Sequence, residues 1–382
     1  MADSAPRVVE AEREEPAGIL DAKADALVEL IRKSKHVIVC TGAGVSTSAG
    51  IADFRGPNGV RTLRAQGKQA QNRKSTLQPI PTPTHMALVE LQKPRSGILP
   101  LMEGSQVGQY ISELHGNSNR EYCQNRGKEY LRDFRAVSTY GKSIHDHRTG
   151  RNCALCGGPL LDTVINFGEN LPAEPLQHAR DHADKADLCL VLGSSLTVSP
   201  SDEIPETVGR RRGAKLAICN LQSTPKDRFS DIRIFAKTDE LMTRVMSKLG
   251  LSILSFILRR RLVVRMETGE DKRQRLVAQG VDVDGTPATF LQSPFIINFR
   301  TLPEPGTCLK LELEFMGHYG EPNLEVEFTY GGDGNMETNY LLEYSLSDMN
   351  WKVTRLGSPW PDISARTETM QRERVVIDLT ED

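Results

Sequence analysis

Residues Cys40 to Asn58 read Cys-Thr-Gly-Ala-Gly-Val-Ser-Thr-Ser-Ala-Gly-Ile-Ala-Asp-Phe-Arg-Gly-Pro-Asn. The apolar run Val37-Ile38-Val39-Cys40 just before it predicts a strand that ends in small residues. Small residues let a backbone approach a phosphate closely, and a helix started by the following segment would turn its N–H groups toward the anion. That pattern is a nucleotide cradle. The glycines fall at Gly42, Gly44 and Gly50, so the spacing departs from the ordinary Gly-x-Gly-x-x-Gly fingerprint, and a glycine-rich turn after a strand is often only a tight turn. The tail Asp53-Phe54-Arg55-Gly56-Pro57 sharpens the reading, because it sets an acid, an aromatic ring and a guanidinium beside the phosphate site.

Around this run the chain alternates strand and helix candidates. Ala22 to Arg32 has helical periodicity, as does Glu240 to Leu249. Val37 to Cys40, Thr163 to Asn166, Leu188 to Leu192 and Leu216 to Cys219 are short apolar runs of the kind buried in a parallel sheet. The expectation is a doubly wound, Rossmann-like α/β core. Ligands of such sheets sit beyond the carboxyl ends of the strands, where Thr41-Gly42, Gly193-Ser194 and Asn220-Leu221 fall. The excursion from Asn58 to Gly158 carries cysteines that mark a small inserted module, and its stretch Arg61 to Ser75 is polar.

Composition bounds the rest. The chain has 382 residues, more than the about 250–300 at which a single core stops growing, so two domains are expected. A net charge of −2 argues against a wholly basic nucleic-acid binder, and Arg210-Arg211-Arg212 and Arg259-Arg260-Arg261 read as solvated faces. No run approaches the roughly 18 apolar residues of a membrane span, and Met1 to Glu15 is polar rather than signal-like. A soluble intracellular protein is expected. Seven cysteines, two of them in Cys153-x-x-Cys156, suggest reduced thiols and a metal site, with Cys40, Cys189 and Cys219 in the core.

Further along stand, in order, Pro83-Thr84-His85, Glu113-Leu114-His115-Gly116-Asn117, Cys153-x-x-Cys156, Asn166-Phe167-Gly168-Glu169, Gly193-Ser194-Ser195 and Asn220-Leu221-Gln222. Together with the cradle, and over about residues 20 to 250, the chain resembles the sirtuin family. Arg55-Gly56-Pro57-Asn58-Gly59-Val60, Thr149-Gly150-Arg151 and Thr224-Pro225-Lys226-Asp227 look most like its nuclear, class IV branch. The resemblance implies an NAD-dependent protein-lysine deacylase that releases nicotinamide and O-acyl-ADP-ribose. It implies that His115 is the base acting on a ribose hydroxyl. Gly42, Ala43 and Gly44 would face the phosphates, Asp53, Phe54 and Arg55 would close over the nicotinamide end, and Gly193, Ser194 and Ser195 would hold phosphate or ribose. Asn220, Leu221, Gln222 and Thr238 would complete the NAD site, while Phe167, Gly168 and Glu169 would lie along an acyl-lysine peptide, such as a histone tail, bound as an added strand. His85 would open a helix, and His145 and His147 would lie in a solvated loop.

Three departures stand against the family pattern. A structural zinc takes four ligands, normally from two Cys-x-x-Cys pairs, yet the first pair reads Cys123-Gln124-Asn125-Arg126. Cys123, Cys153 and Cys156 remain, so either another group completes the tetrahedron or the metal is weakly held. The family's Ser-Gln-Asn-x-Asp block before the histidine is reduced to Ser105-Gln106 followed by Val107-Gly108-Gln109-Tyr110, without the Asn and Asp. That amounts to the loss of a strand and a loop, with polar contacts worth about 1–3 kcal/mol each. Ala52 and Arg61 replace the usual proline and tryptophan.

The expected division is therefore a polar tail over 1–20, a core over 21–250 with the zinc module at about 110–160, a β-rich antiparallel domain over 251–365, and a tail over 366–382. Arg261 to Arg265, Leu309 to Phe315, Leu324 to Tyr330 and Asn339 to Tyr344 are the strand candidates of the β domain. The tail reads Val375-Val376-Ile377-Asp378-Leu379-Thr380-Glu381-Asp382 and resembles a SUMO-interacting motif, which agrees with a nuclear, chromatin-associated protein; an edge strand or a frayed tail is the plainer reading. Two functions stay open. One is the deacylase, with mono-ADP-ribosyl transfer as a variant; the other is a catalytically impaired relative that serves as an NAD-binding or SUMO-linked adaptor.

Overall fold

A computed structural model describes residues 10–68, 79–92, 111–132, 134–138, 143, 145–166, 168–269, 272–282, 285–332 and 337–356, together with the backbone of 374–379. The chain opens with helix α1 (Ala17–Lys33) and strand β1 (Val37–Gly42), then a 3-10 turn over Ala43–Ala49 and helices α2 (Val60–Ala65) and α3 (Pro83–Gln92). Strands β2 (Ile111–Glu113), β3 (Arg120–Cys123), β4 (Glu129–Leu131), β5 (Arg148–Asn152) and β6 (Pro159–Asp162) follow. Next come α4 (Ala173–Lys185), β7 (Leu188–Leu192), α5 (Glu203–Arg210), β8 (Lys215–Cys219), β9 (Ile232–Ile234) and α6 (Thr238–Lys248). The last strands are β10 (Ile257–Thr268), β11 (Gln274–Val281), β12 (Phe295–Asn298), β13 (Cys308–Leu313), β14 (Leu324–Thr329), β15 (Glu337–Ser345), β16 (Asn350–Leu356) and β17 (Arg374–Leu379).

The chain divides into two compact units. The first gathers Met1–Asn117, Thr163–Leu254 and Ser364–Asp382, and the second gathers Ser118–Asp162 and Ser255–Ile363. In the first unit a six-stranded sheet runs in the order β2-β17-β1-β7-β8-β9, with every pairing parallel. Its central strands are buried on both faces, which is why β1 and β7 read as unbroken apolar runs. Alternate residues serve opposite cores. Val37, Val39, Leu188, Leu190 and Leu192 pack with the 20, 24, 27, 28, 31 stripe of α1 and the 241, 242, 245, 246, 249 stripe of α6. Ile38, Cys40, Cys189, Val191, Leu216 and Ile218 face α4 and α5 instead. This is the expected doubly wound α/β sheet, and Cys40, Cys189 and Cys219 are buried thiols in it.

Two expectations are corrected. Thr163 to Asn166 is not a strand; Ile165 N–H donates to His115 O at 3.0 Å, and Thr163 exchanges hydrogen bonds with Asn117, so this apolar run is spent bracing a loop. The tail is neither free nor an edge strand over Arg374–Leu379, which lies inside the sheet between β1 and β2. The polar stretch Arg61 to Ser75 begins with α2 and otherwise passes, from 69, outside the described residues.

The second unit holds the cysteine module, a sheet of order β4-β3-β6-β5, and the β domain, with a five-stranded sheet β12-β11-β10-β15-β16 and the hairpin β13-β14. All of its pairings are antiparallel. Inside the module the Glu121 carboxylate is buried, which opposes its charge, but hydrogen bonds from Arg151, Thr149 and Arg132 outweigh burial and hold its pKa below the usual range. Among the described residues no helix is long and apolar enough to cross a membrane.

Candidate functional site

The carboxyl ends of β1, β7 and β8 meet. Gly44 N–H donates to Gly193 O at 2.9 Å, and Gly193 N–H donates to Cys219 O at 2.9 Å, so the loops after the three strands are laced by main-chain bonds. The approach leaves no room for side chains. A Cβ on Gly44 would stand 2.7 Å from Gly193 O, and one on Gly193, which sits at φ 62°, would stand 2.8 Å from Val45 N. These glycines therefore serve the contact between two loops as well as any approach to phosphate.

Above this floor lies a cavity of about 760 Å³. Gly44, Asp53, Gly193, Asn220, Leu221, Gln222 and Thr238 line it. A smaller adjoining cavity is lined by Ala43, Phe54, Arg55, Ser194 and Ser195, and shares Gly44, Asp53, Gly193, Asn220 and Gln222 with the first. Gly42 lines neither; its α-carbon faces the backbone of Gly193 and Ser194. Sequence reasoning missed Glu12, Thr47, Ser48, Asn58, Lys237 and Asp239 on the wall. Asp239 had a signal, since an acid in the first turn of α6 suits the helix dipole, and it accepts hydrogen bonds from Thr84 N–H at 2.9 Å and from Ser48 Oγ at 2.5 Å.

The Asp53 loop is folded on itself. Gly56 N–H donates to Asp53 Oδ1 at 3.2 Å and Val60 N–H to Asp53 O at 2.9 Å, while Arg55 reaches Ser195 Oγ at 3.4 Å. The Asn220 loop is fastened from below by Arg233, which donates to Asn220 O at 3.0 Å and to Gln222 O at 2.5 Å.

His115 follows β2 and is buried, at 5% exposure. Desolvation lowers its pKa from 6.5 to about 4, so the ring is neutral at neutral pH. Gly116, at φ 82°, makes the turn beyond it, where a Cβ would meet Thr163 O at 1.8 Å. Glu169 Oε2 accepts the Asn166 N–H at 2.6 Å, next to Gly168 at φ 90°. Neither His115 nor Gly168 and Glu169 line the two cavities, and Phe167 lies outside the described residues, as do Ser105 and Gln106. His85 lies in α3, as expected, its Nδ1 facing Thr82 Oγ1 at 2.7 Å.

In the second unit the ligand atoms of Cys123, Cys153 and Cys156 lie within 4.8 Å of one another. Three thiols at that spacing fit zinc, and the tight turns Gly127 N–H to Cys123 O and Gly157 N–H to Cys153 O, both 2.8 Å, present the sulfurs to one point. The hydrogen bond from Tyr130, whose oxygen is 3.1 Å from Cys153 Sγ, is the main reason that thiol is lowered to about 6. Arg126 is exposed, and His147 pairs with Asp162 at 2.8 Å rather than with the cysteines. No fourth His, Cys, Asp or Glu joins the group among the described residues.

The sequence profile of the Sir2 family matches residues 67–200. The chain is 40% identical over 258 residues to the NAD-dependent protein deacetylase SRT1 of Arabidopsis thaliana, covering 64% of this chain and 52% of that protein. It is 36% identical to the NAD-dependent protein deacetylase Sirt6 of Drosophila melanogaster, covering 62% of this chain and 78% of the relative. A solved structure described as Sir2 bound to acetylated peptide matches at a TM-score of 0.43 with 27% identity, covering 60% of this chain and 99% of that one. The chain spans about half the length of the plant relatives, 52% and 50%.

Two outcomes are expected. Gly44→Ala forces the β1 and β7 loops apart, costing about 1–3 kcal/mol in urea unfolding and weakening any nucleotide bound on that floor. Arg126→Cys supplies the fourth thiolate and raises zinc affinity by more than about tenfold, equal to about 1.4 kcal/mol, in a competition assay with a chromogenic chelator.

Proposed function

Since the chain belongs to the Sir2, or sirtuin, family, we propose that it is an NAD-dependent protein-lysine deacylase acting on acyl-lysine in a nuclear protein such as a histone. The observation that carries the reading is the cavity built from three strand-end loops of one parallel sheet, where the glycines and the Asp53-Phe54-Arg55 tail stand together. Main-chain N–H groups of the Gly44 and Gly193 loops would take the diphosphate, and Asn220 to Gln222 the adenosine ribose. NAD supplies the activated ribose carbon when bound. His115, neutral through burial, would accept the ribose hydroxyl proton. The loop from Asn166 to Glu169 would lie along the peptide. Zinc held by Cys123, Cys153 and Cys156 would be structural, and the likeness of Arg55 to Val60, Thr149 to Arg151 and Thr224 to Asp227 to the nuclear branch is what supports a nuclear, chromatin-linked setting. The SUMO reading of Val375 to Leu379 belongs to the same proposal, but requires that segment to leave the sheet.

A second reading is the impaired relative acting as an NAD-binding or SUMO-linked adaptor. Arg126 at the place of a ligand and the shortened segment before His115 favour it. Purified protein incubated with NAD and an acetyl-lysine histone peptide separates the two. The deacylase releases nicotinamide and removes the acetyl mass, and His115→Ala lowers turnover by about 10²–10⁴-fold. Folded protein that binds NAD without turnover sinks the deacylase reading for this acyl group and leaves the adaptor.

The base also makes a titration testable by NMR of its ring carbon. Unliganded His115 is expected to protonate near 4 rather than near 6.5.

A further inference from the structure

The strand that leads into His115 depends on the far end of the sequence. β2 is the outermost strand of the core sheet, and among the described residues its one strand partner is β17, with Val376 opposite Ile111, Ile377 opposite Ser112 and Asp378 opposite Glu113. β17 in turn runs parallel to β1 along its whole length, from Val37 opposite Arg374 to Gly42 opposite Leu379. The spatial order is β2, β17, β1. Adjacent strands are about 4.8 Å apart, so β2 and β1 stand roughly two spacings from one another and cannot share a ladder without the strand between them. β2 is also tied to α4, where Ser112 Oγ meets His178 Nδ1 at 2.8 Å, and the turn beyond it is braced by Ile165 N–H on His115 O at 3.0 Å, but neither contact is a ladder that sets the register of β2 against β1. Two residues past β2 is His115, and at the end of β1 is the cradle.

We propose that Arg374–Leu379 is a positioning strand: its backbone sets the His115 strand against the strand that carries the nucleotide loop, and the same segment can reach a β-augmenting partner only by leaving that place. Both of its edges are occupied, one by β1 and one by β2. A partner that takes an extended peptide as an added strand needs a free edge. Capture of the segment and a placed His115 are therefore mutually exclusive. The inference rests on the deacylase reading only for its effect on turnover; the coupling of β17 to β2 stands apart from it.

Hydrogen exchange read by mass spectrometry on the full chain and on a Val376→Pro variant tests the coupling, because proline removes a ladder donor and is excluded from interior strands. Exchange over 111–117 is expected to speed by about tenfold or more while 188–192 and 215–219 keep their protection. A chain shortened after Glu373 is expected to show the same loss, and a synthetic peptide of residues 370–382 added to it restores protection over 111–117. If deacylation is present, kcat falls and recovers with the peptide, while the KM for NAD stays within about twofold. Unchanged exchange over 111–117 in the proline variant overturns the proposal. So does a shortened chain that the peptide fails to re-protect, including the case in which Val376→Pro unfolds the whole sheet. Restored exchange protection without any turnover upholds the positioning strand and counts against the deacylase reading alone.

Discussion

The hydrogen bond from Gly44 N–H to Gly193 O is the constraint on which the site depends. It draws the ends of β1 and β7 together in a space that admits no side chain, and Gly193 N–H carries the contact on to Cys219 O at the end of β8. Three loops thus share one floor laced by main-chain bonds. Such a floor is rigid because each strand is buried on both faces and cannot shift without opening one of two cores. The Arg233 bonds beneath Asn220 and Gln222 extend the same logic to the rim.

Much of this was legible in the residues. The unbroken apolar runs of β1, β7 and β8 announced parallel strands, and the small residues following them announced a site at their carboxyl ends. Helix α1 begins at Ala17 rather than near Ala22 because Pro16 is tolerated at a helix entrance, a point that periodicity alone does not read. Thr163 to Asn166 misled because apolar composition does not distinguish a strand from a braced loop; its partners, His115 and Asn117, are remote in sequence. Asp239 and Ser48 escaped for a similar reason, since they meet only when α6 docks beside the 3-10 turn.

The departures from the family pattern fall in different units and have different physical consequences. Loss of the fourth cysteine at Arg126 touches a module whose buried Glu121 is gripped by two arginines and a threonine, so part of its cohesion does not pass through metal. Breaking such a buried pair is costly because the remaining charge is stranded, which makes the network a stake in the fold whether or not zinc is tightly held. The shortened segment before His115 touches the core sheet instead. There the consequence is topological: a strand from elsewhere in the chain occupies the position between β2 and β1, and a sheet is indifferent to the origin of a strand whose ladder and register fit.

The charge around the main cavity bears on what it would hold. Glu12, Asp53, Asp239 and Glu240 line it against Lys237, and burial, followed by the charge of Asp53, pushes the Glu12 carboxyl up. An anionic diphosphate gains little from such walls; its attraction must come from main-chain N–H groups of these loops other than those of Gly44 and Gly193, which are already donated to Gly193 O and Cys219 O. Of these acids Asp53 alone also lines the smaller cavity, so it is there that a cationic group would be favoured. Asp53 stands where both cavities meet, with Arg55 beyond it on the Ser195 side. On the proposed reading, a ligand positive at one end and negative in its middle would meet both the Asp53 carboxylate and the main-chain amides, whereas a plain nucleoside polyphosphate would meet the acids with no cation of its own to offset them.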